Sequence, residues 1–303
     1  YCKYKLGVQI RFSSFKWGFL KEVTVYSFWI FLNAIMDRIY WSTGQFVLGI
    51  YRGTVAVAIY AVAIQLQSIY MSFSTAISGV FLTKVTAMVV KKSSAKEVSD
   101  LFIKTGRIQY IVMAFVLTGF IVFGRQFIIL WAGLDYESAY LITLLFFFPL
   151  TFPLIQNLGI IILQARNQMK FRSLLYVFIA LISLLLSFYW ANLYGGVGCA
   201  MATALALIAG QIIGMNIYYA KKISIDICSF WLEIGKMSVV PLLLGICTYM
   251  VVSHVDLKSW WKLSLAVIFF SLIYIPLFWH YGMNAYERSL FSIPARLFCR
   301  NRN

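Results

Sequence analysis

Apolar runs recur along the chain from Val23 to Tyr281, interrupted by short clusters of charged and turn-forming residues. Each run is long enough to cross about 30 Å of hydrocarbon at about 1.5 Å per helical residue. Reading the runs against the charge clusters predicts eight spans, at 23–50, 55–83, 108–130, 139–164, 173–191, 197–219, 237–253 and 261–281. The expected fold is all-α, a polytopic transmembrane helix bundle. Composition agrees: 62% of the side chains are apolar and 12% charged, against about 45–50% and 25% in soluble domains, which excludes a soluble globular fold.

The 26 Lys and Arg against 10 Asp and Glu are distributed by side. Alternate connections hold Lys3, Lys5, Arg11, Lys16 and Lys21; Lys84, Lys91, Lys92, Lys96, Lys104 and Arg107; Arg166, Lys170 and Arg172; Lys221, Lys222 and Lys236; and Arg288, Arg296, Arg300 and Arg302. The other connections hold few cations and include the acidic Asp135 and Glu137. By the positive-inside rule both ends of the chain are expected to be cytoplasmic. The net charge of +16 then reflects topology and attraction to anionic membrane lipid, and no nucleic-acid partner is expected. Before the first span, Phe12, Phe15, Trp17 and Phe19 alternate with Arg11, Lys16 and Lys21. That composition suits residues 1–22 as a cytoplasmic or interfacial amphipathic segment.

Polar groups inside the spans carry the candidate chemistry. Asp37 and Arg38 form the one charged pair within a span, at a cost of about 2.5–3.5 kcal/mol each unless they face a cavity or a partner. Asn33 and Trp41 lie one helical turn either side of Asp37. If the first helix runs to Ile50 the pair is near its middle; if it ends near Thr43 the pair sits at the outer interface with Arg38 snorkelling. The second span carries Gln65, Ser68, Ser72, Thr75 and Gly79 at three- and four-residue intervals, one polar stripe down a helix. Such a stripe suits the wall of a wet cavity, although hydroxyls in membrane helices also bond their own backbone. Pro149 and Pro153 should kink or break the fourth span ahead of Gln156, Asn157 and Gln164. Gly198, Ala202, Ala206, Gly210 and Gly214 repeat every four residues, a stripe for close helix packing.

No phosphate loop, HExxH, GxSxG or His–carboxylate cluster is present in the sequence, so transport is expected rather than an enzyme. The five cysteines lack metal-ligand spacing and the two histidines, His254 and His280, are far apart, so neither a disulfide framework nor a metal site is expected.

Four stretches, in this order, resemble the polysaccharide-repeat-unit flippases (Wzx type) of the multidrug/oligosaccharidyl-lipid/polysaccharide exporter superfamily. They are Asp37-Arg38 with Leu48-Gly49, Gly53 and the run Ala58 to Ala63; Trp131 to Ala139; Ile162 to Lys170; and Gly195 to Thr203. Members have two six-span lobes and two further spans. The resemblance therefore implies that this chain corresponds to spans seven to fourteen of a MATE-like transporter: a six-helix lobe at 23–219, two additional helices within 220–283 and a basic cytoplasmic tail at 284–303, with the first lobe absent. Such a piece alone should not transport.

The implied function is alternating-access translocation of an undecaprenyl-diphosphate-linked oligosaccharide, an O-antigen or capsule repeat unit, across the bacterial inner membrane. The resemblance puts Arg38 and Arg52 on the diphosphate, and Asn33, Trp41, Gln65, Ser68, Ser72 and Asn157 on the cargo. Asp37 becomes an ion-coupling carboxylate or the partner of Arg38. No cofactor is implied beyond coupling to a proton or Na+ gradient; the implied partners are the lipid-linked oligosaccharide, membrane lipid and other polysaccharide-assembly proteins. A drug exporter or peptidoglycan-precursor flippase of the same superfamily, or a membrane-embedded polymerase or acyltransferase, are the alternatives.

Overall fold

The computed structural model describes residues 17–91, 93–255 and 257–290, and every regular element among them is helical. The order is α1 (Trp17–Tyr51), α2 (Gly53–Val80), α3 (Leu82–Val90), α4 (Ala95–Ala132), α5 (Ala139–Ile155) and α6 (Asn157–Ala165). Then comes a 55-residue run, Met169–Ile223, followed by α9 (Ile227–Val252) and α10 (Trp260–Gly282); a last helix, α11, begins at 285. The readings on Lys3, Lys5, Arg11, Phe12, Phe15, Lys16, Lys92, Arg296, Arg300 and Arg302 fall outside the described residues.

A straight helix of 55 residues would be about 82 Å long, far more than a bilayer. The run instead folds back at Gly195, whose φ of 57° and ψ of −133° lie in a region that only glycine enters without strain. We call its arms α7 (169–194) and α8 (196–223). A Cβ on Gly210 would collide with Ile179, one on Gly214 would crowd Leu175, and one on Gly198 would strike the Trp190 carbonyl. The glycines of the four-residue stripe thus let the two arms of one hairpin approach. Seven helical runs among the described residues have spanning length and apolarity. With one of them doubled back, the chain makes the eight crossings expected, so Trp17 and α11 lie at the same end of the bundle. That end carries Lys84, Lys91, Lys96, Lys104, Arg166, Lys170, Lys221, Lys222 and Lys236.

The boundaries differ from the sequence reading for identifiable reasons. Helix α1 is unbroken from Trp17 to Tyr51, so Asp37 and Arg38 lie within a continuous helix. Helix α4 starts three turns before residue 108, because Ser94 caps it: its hydroxyl accepts from Glu97 N at 3.3 Å, and Glu97 is the acidic residue of the first turn. At 38 residues, or about 57 Å, α4 projects from the basic end. The fourth span breaks at Gln156. Here the Gln156 amide bonds the Pro153 carbonyl and the Gly159 amide bonds Gln156 O, tightening the turn after the two prolines.

The largest apolar cluster joins α2, α4, α5 and α6 to the far half of α8 and the start of α9 through Phe102, Met113, Phe147, Leu158, Met215 and Phe230. The last two spans are tied to the lobe by one buried cation. Arg107 of α4 bonds Glu287 in a bidentate fork (2.5 and 3.0 Å) and Glu233 of α9 at 2.6 Å. Asn284 and Glu287 cap α11 reciprocally, each accepting the other's amide at 2.9 Å.

Candidate translocation site

Helix α1 presents two different faces. Trp29, Asn33, Asp37 and Trp41 recur every four residues, and Tyr40, Thr43, Gly44, Val47 and Leu48 of the adjoining stripe are buried. This inner face packs along the α7–α8 hairpin. Ser173 donates to the Trp29 carbonyl at 2.8 Å and Tyr40 to the Thr203 carbonyl at 2.5 Å. Trp41 packs edge-on against Phe146 and Tyr40.

The Asp37 carboxylate on that face is within reach of the Trp41 indole and the Tyr176 hydroxyl, and it feels the charge of Arg172. Arg172 is 6% exposed. Its Nη2 donates to the Tyr176 hydroxyl at 3.2 Å, its Nη1 to Gln211 Oε1 at 3.4 Å, and its guanidinium lies 4.8 Å over the Tyr176 ring. Asp37 and Arg172 form no ion pair within 4.0 Å, and Tyr176 neighbours both. Gln211 belongs to a stretch of wider, π-helical winding, Ile208–Gly214, a local irregularity that often accompanies functional sites.

Arg172 is the residue beside Asp37 that the sequence reading did not place there. Lying between Lys170 and the fifth span, it counts there as one more topology-setting cation. Its tie to Tyr176, one turn on, was the available signal: an arginine stacked on a tyrosine at i+4 belongs to a helix face, not a loop.

Arg38 points away from this cluster, about 100° round the helix from Asp37. It is exposed, and it has no hydrogen bond or ion pair among the described residues. On α2, Gln65, Ser68, Ser72, Thr75 and Gly79 are likewise exposed, whereas Tyr60, Ala63, Gln67, Tyr70, Ser74 and Ser78 are buried. The stripe hydroxyls donate to their own helix, Ser68 to Ile64 O at 2.9 Å and Ser72 to Ile69 O at 2.6 Å. Their oxygen lone pairs remain free to accept. Exposed Ile69, Phe73 and Val80 occupy a third face. Helix α2 is therefore apolar toward one neighbour medium, packed toward the lobe, and polar along a strip between them.

The other expected site residues have structural partners. Arg52 donates from Nε to Ala191 O (3.3 Å) and from Nη2 to Asn192 O (2.6 Å), capping the carbonyl end of α7. It is 14 residues from Arg38, about 21 Å along the axis, so one diphosphate cannot contact both. Asn157 donates to Ser78 Oγ at 2.8 Å beside the break in the fourth span, where Gln156 and Trp231 both donate to Asn216 Oδ1. Asn33 and Trp41 sit on the inner face with Asp37. The structure thus gathers Asn33, Asp37 and Trp41 in one place and leaves Arg38, Gln65, Ser68 and Ser72 on outward surfaces. An apolar groove of about 690 Å3 between α4, α5 and α9, edged by Tyr110, Thr151, Trp231 and Ser238, contains none of them.

Residues 2–140 match the model of a polysaccharide biosynthesis protein family. No curated protein and no solved structure matches the chain. The matched stretch runs through α1 to α4, and it contains Asp37, Arg38 and the α2 stripe but not Arg172, Tyr176, Gln211 or Asn157.

Proposed function

We propose that this chain is part of a flippase that moves an undecaprenyl-diphosphate-linked oligosaccharide across the bacterial inner membrane by alternating access, both ends of the chain being cytoplasmic. The observation that carries the reading is the exposed polar strip of α2, together with exposed Arg38 on α1, in helices of membrane-spanning length. Hydrocarbon offers such groups no hydrogen bonds, so they belong against water or against another part of the protein. The match of that same stretch to a polysaccharide biosynthesis family supports sugar cargo.

In this reading Arg38 holds the diphosphate, the fork of a guanidinium being suited to paired phosphate oxygens. Gln65, Ser68 and Ser72 meet sugar hydroxyls. Asp37, on the inner face, serves ion coupling. Arg52, engaged on the α7 carbonyls, and Asn157, engaged on Ser78, act in the scaffold. The test is export of surface polysaccharide by cells carrying the full-length gene. Arg38→Ala should abolish export while the protein remains in the membrane at its normal level. Export at normal levels would remove Arg38 from the path.

A further inference from the structure

Helices α5 and α9 both pack on α4, and the apolar groove of about 690 Å3 runs between them. Its floor is one face of α4, where Tyr110, Ala114, Leu117, Thr118 and Ile121 follow at helical spacing, about 16 Å from first to last. At the basic end the walls meet in Phe152 and Trp231, with ring centroids 5.4 Å apart. The other end is open, and Phe148, Tyr249 and Met250 along it are exposed. A Cβ on Gly235 would meet nothing within 4 Å, so α9 leaves a hollow in its wall of the groove. Beyond the open end lies a polar cup lined by Arg125, Asp135, Glu137, Ser138, Tyr140 and Leu141. Arg125 is one turn past Ile121 on α4, and Leu141 is two turns from Phe148 on α5, so groove and cup share the same helix faces. Tyr140 donates to the Ile121 carbonyl at 2.7 Å where the two spaces join. Arg125 donates from Nε to Glu137 Oε1 at 2.7 Å, which leaves further guanidinium N–H groups to donate. Asp135 is exposed and makes no ion pair among the described residues.

A cup with both signs of charge at the mouth of an apolar groove suits an amphiphile with a zwitterionic head. We propose that groove and cup bind one phosphatidylethanolamine from the leaflet away from the basic end. Its acyl chain lies along α4 toward Phe152 and Trp231, its phosphate meets Arg125, and its ammonium meets Glu137 and Asp135. The length agrees: hydrocarbon about 30 Å thick gives each leaflet about 15 Å, close to the length of the groove floor. The charge selects the head. An anionic lipid would bring its phosphate to two carboxylates with no cation of its own to answer them, and a choline head has no N–H to donate to them. The groove holds none of the α1 and α2 residues assigned to the cargo, so this lipid is a resident of the membrane and not the molecule transported. Its chain fills the gap between α5 of the lobe and α9, adding apolar contact between the lobe and the last two spans.

The purified full-length protein is unfolded thermally in mild detergent with palmitoyl-oleoyl phosphatidylethanolamine, phosphatidylglycerol or phosphatidylcholine added. Phosphatidylethanolamine should raise the midpoint by a few degrees more than the other two, and native mass spectrometry should find one copy retained. Gly235→Leu fills the hollow and should lose both the retained lipid and the rise. The double variant Asp135→Asn/Glu137→Gln, at positions open to water, should keep a lipid but turn its preference to phosphatidylglycerol; it decides the matter if Gly235→Leu fails to fold. Equal rises with all three lipids in the wild type would overturn the proposal, as would an unchanged preference in the double variant or a rise that Gly235→Leu retains. Displacement of the phosphatidylethanolamine by undecaprenyl phosphate would also overturn it, by giving the groove to the chain of the cargo.

Discussion

Removing one member of the Asp37–Tyr176–Arg172 set should cost more than removing both charges. The two charges interact but lie beyond ion-pair distance, taken as about 6 Å. At an effective dielectric of about 20 their attraction is then about 3 kcal/mol. Arg172 is 6% exposed, and Asp37→Asn strands its charge next to Gln211 and Tyr176. Stranding a buried charge costs about 3–5 kcal/mol, and the half-exposure of Asp37 argues for the lower part of that range. Arg172→Gln strands the carboxylate, with relief from water at its open side, and should cost about 2 kcal/mol. The double variant leaves neutral amides in similar volumes and should recover most of the loss, a coupling of about 1–3 kcal/mol. The assay is a double-mutant cycle on unfolding of the purified protein in mild detergent. Additive losses, with the double variant as unstable as the sum of the singles, would refute an electrostatic link between α1 and the hairpin.

Three further outcomes follow from particular contacts. Glu287→Gln should loosen the attachment of the last two spans, because Arg107 keeps a buried charge with only Glu233 to answer it; the cost is about 3 kcal/mol, measured as earlier proteolysis of the 227–290 region. Gly198→Ala should destabilise by about 1–3 kcal/mol, since the added methyl meets the Trp190 backbone carbonyl, whereas Gly79→Ala, with nothing within 4 Å, should be neutral or slightly stabilising in the same thermal assay. Arg52→Ala should cost about 1 kcal/mol through the lost cap of α7 and leave export of surface polysaccharide in place, a direct contrast with Arg38→Ala.

The architecture was legible because a bilayer imposes a length on apolar runs, and the eight crossings emerge from run length and charge alone. The fold-back at Gly195 was readable from Gly195-Gly196 between two apolar runs. Helix ends were less so. Ser94 and Glu97 carry a capping signature, but the charges of that stretch read as a loop, because a helix can leave the membrane and continue in water. The site was legible in part. Spacing placed Asn33, Asp37 and Trp41 on one face, and it placed the α2 stripe on another. What spacing could not supply is which neighbour meets each face. Arg172 is 135 residues from Asp37 in sequence, and only the hairpin packed on α1 brings them together. The same packing shows Arg52 on carbonyls, a use that a lone interfacial arginine does not announce.

The central claim is that the exposed strip of α2 borders water within the membrane-spanning part of the protein. Single cysteines at Ser68, Ser72, Ile69 and Phe73, each in the full-length protein with its native cysteines replaced, can be exposed in intact cells to a membrane-impermeant maleimide. The account predicts labelling at Ser68 and Ser72, slowed by the lipid-linked oligosaccharide, and none at Ile69 and Phe73. Equal protection at all four positions would contradict it.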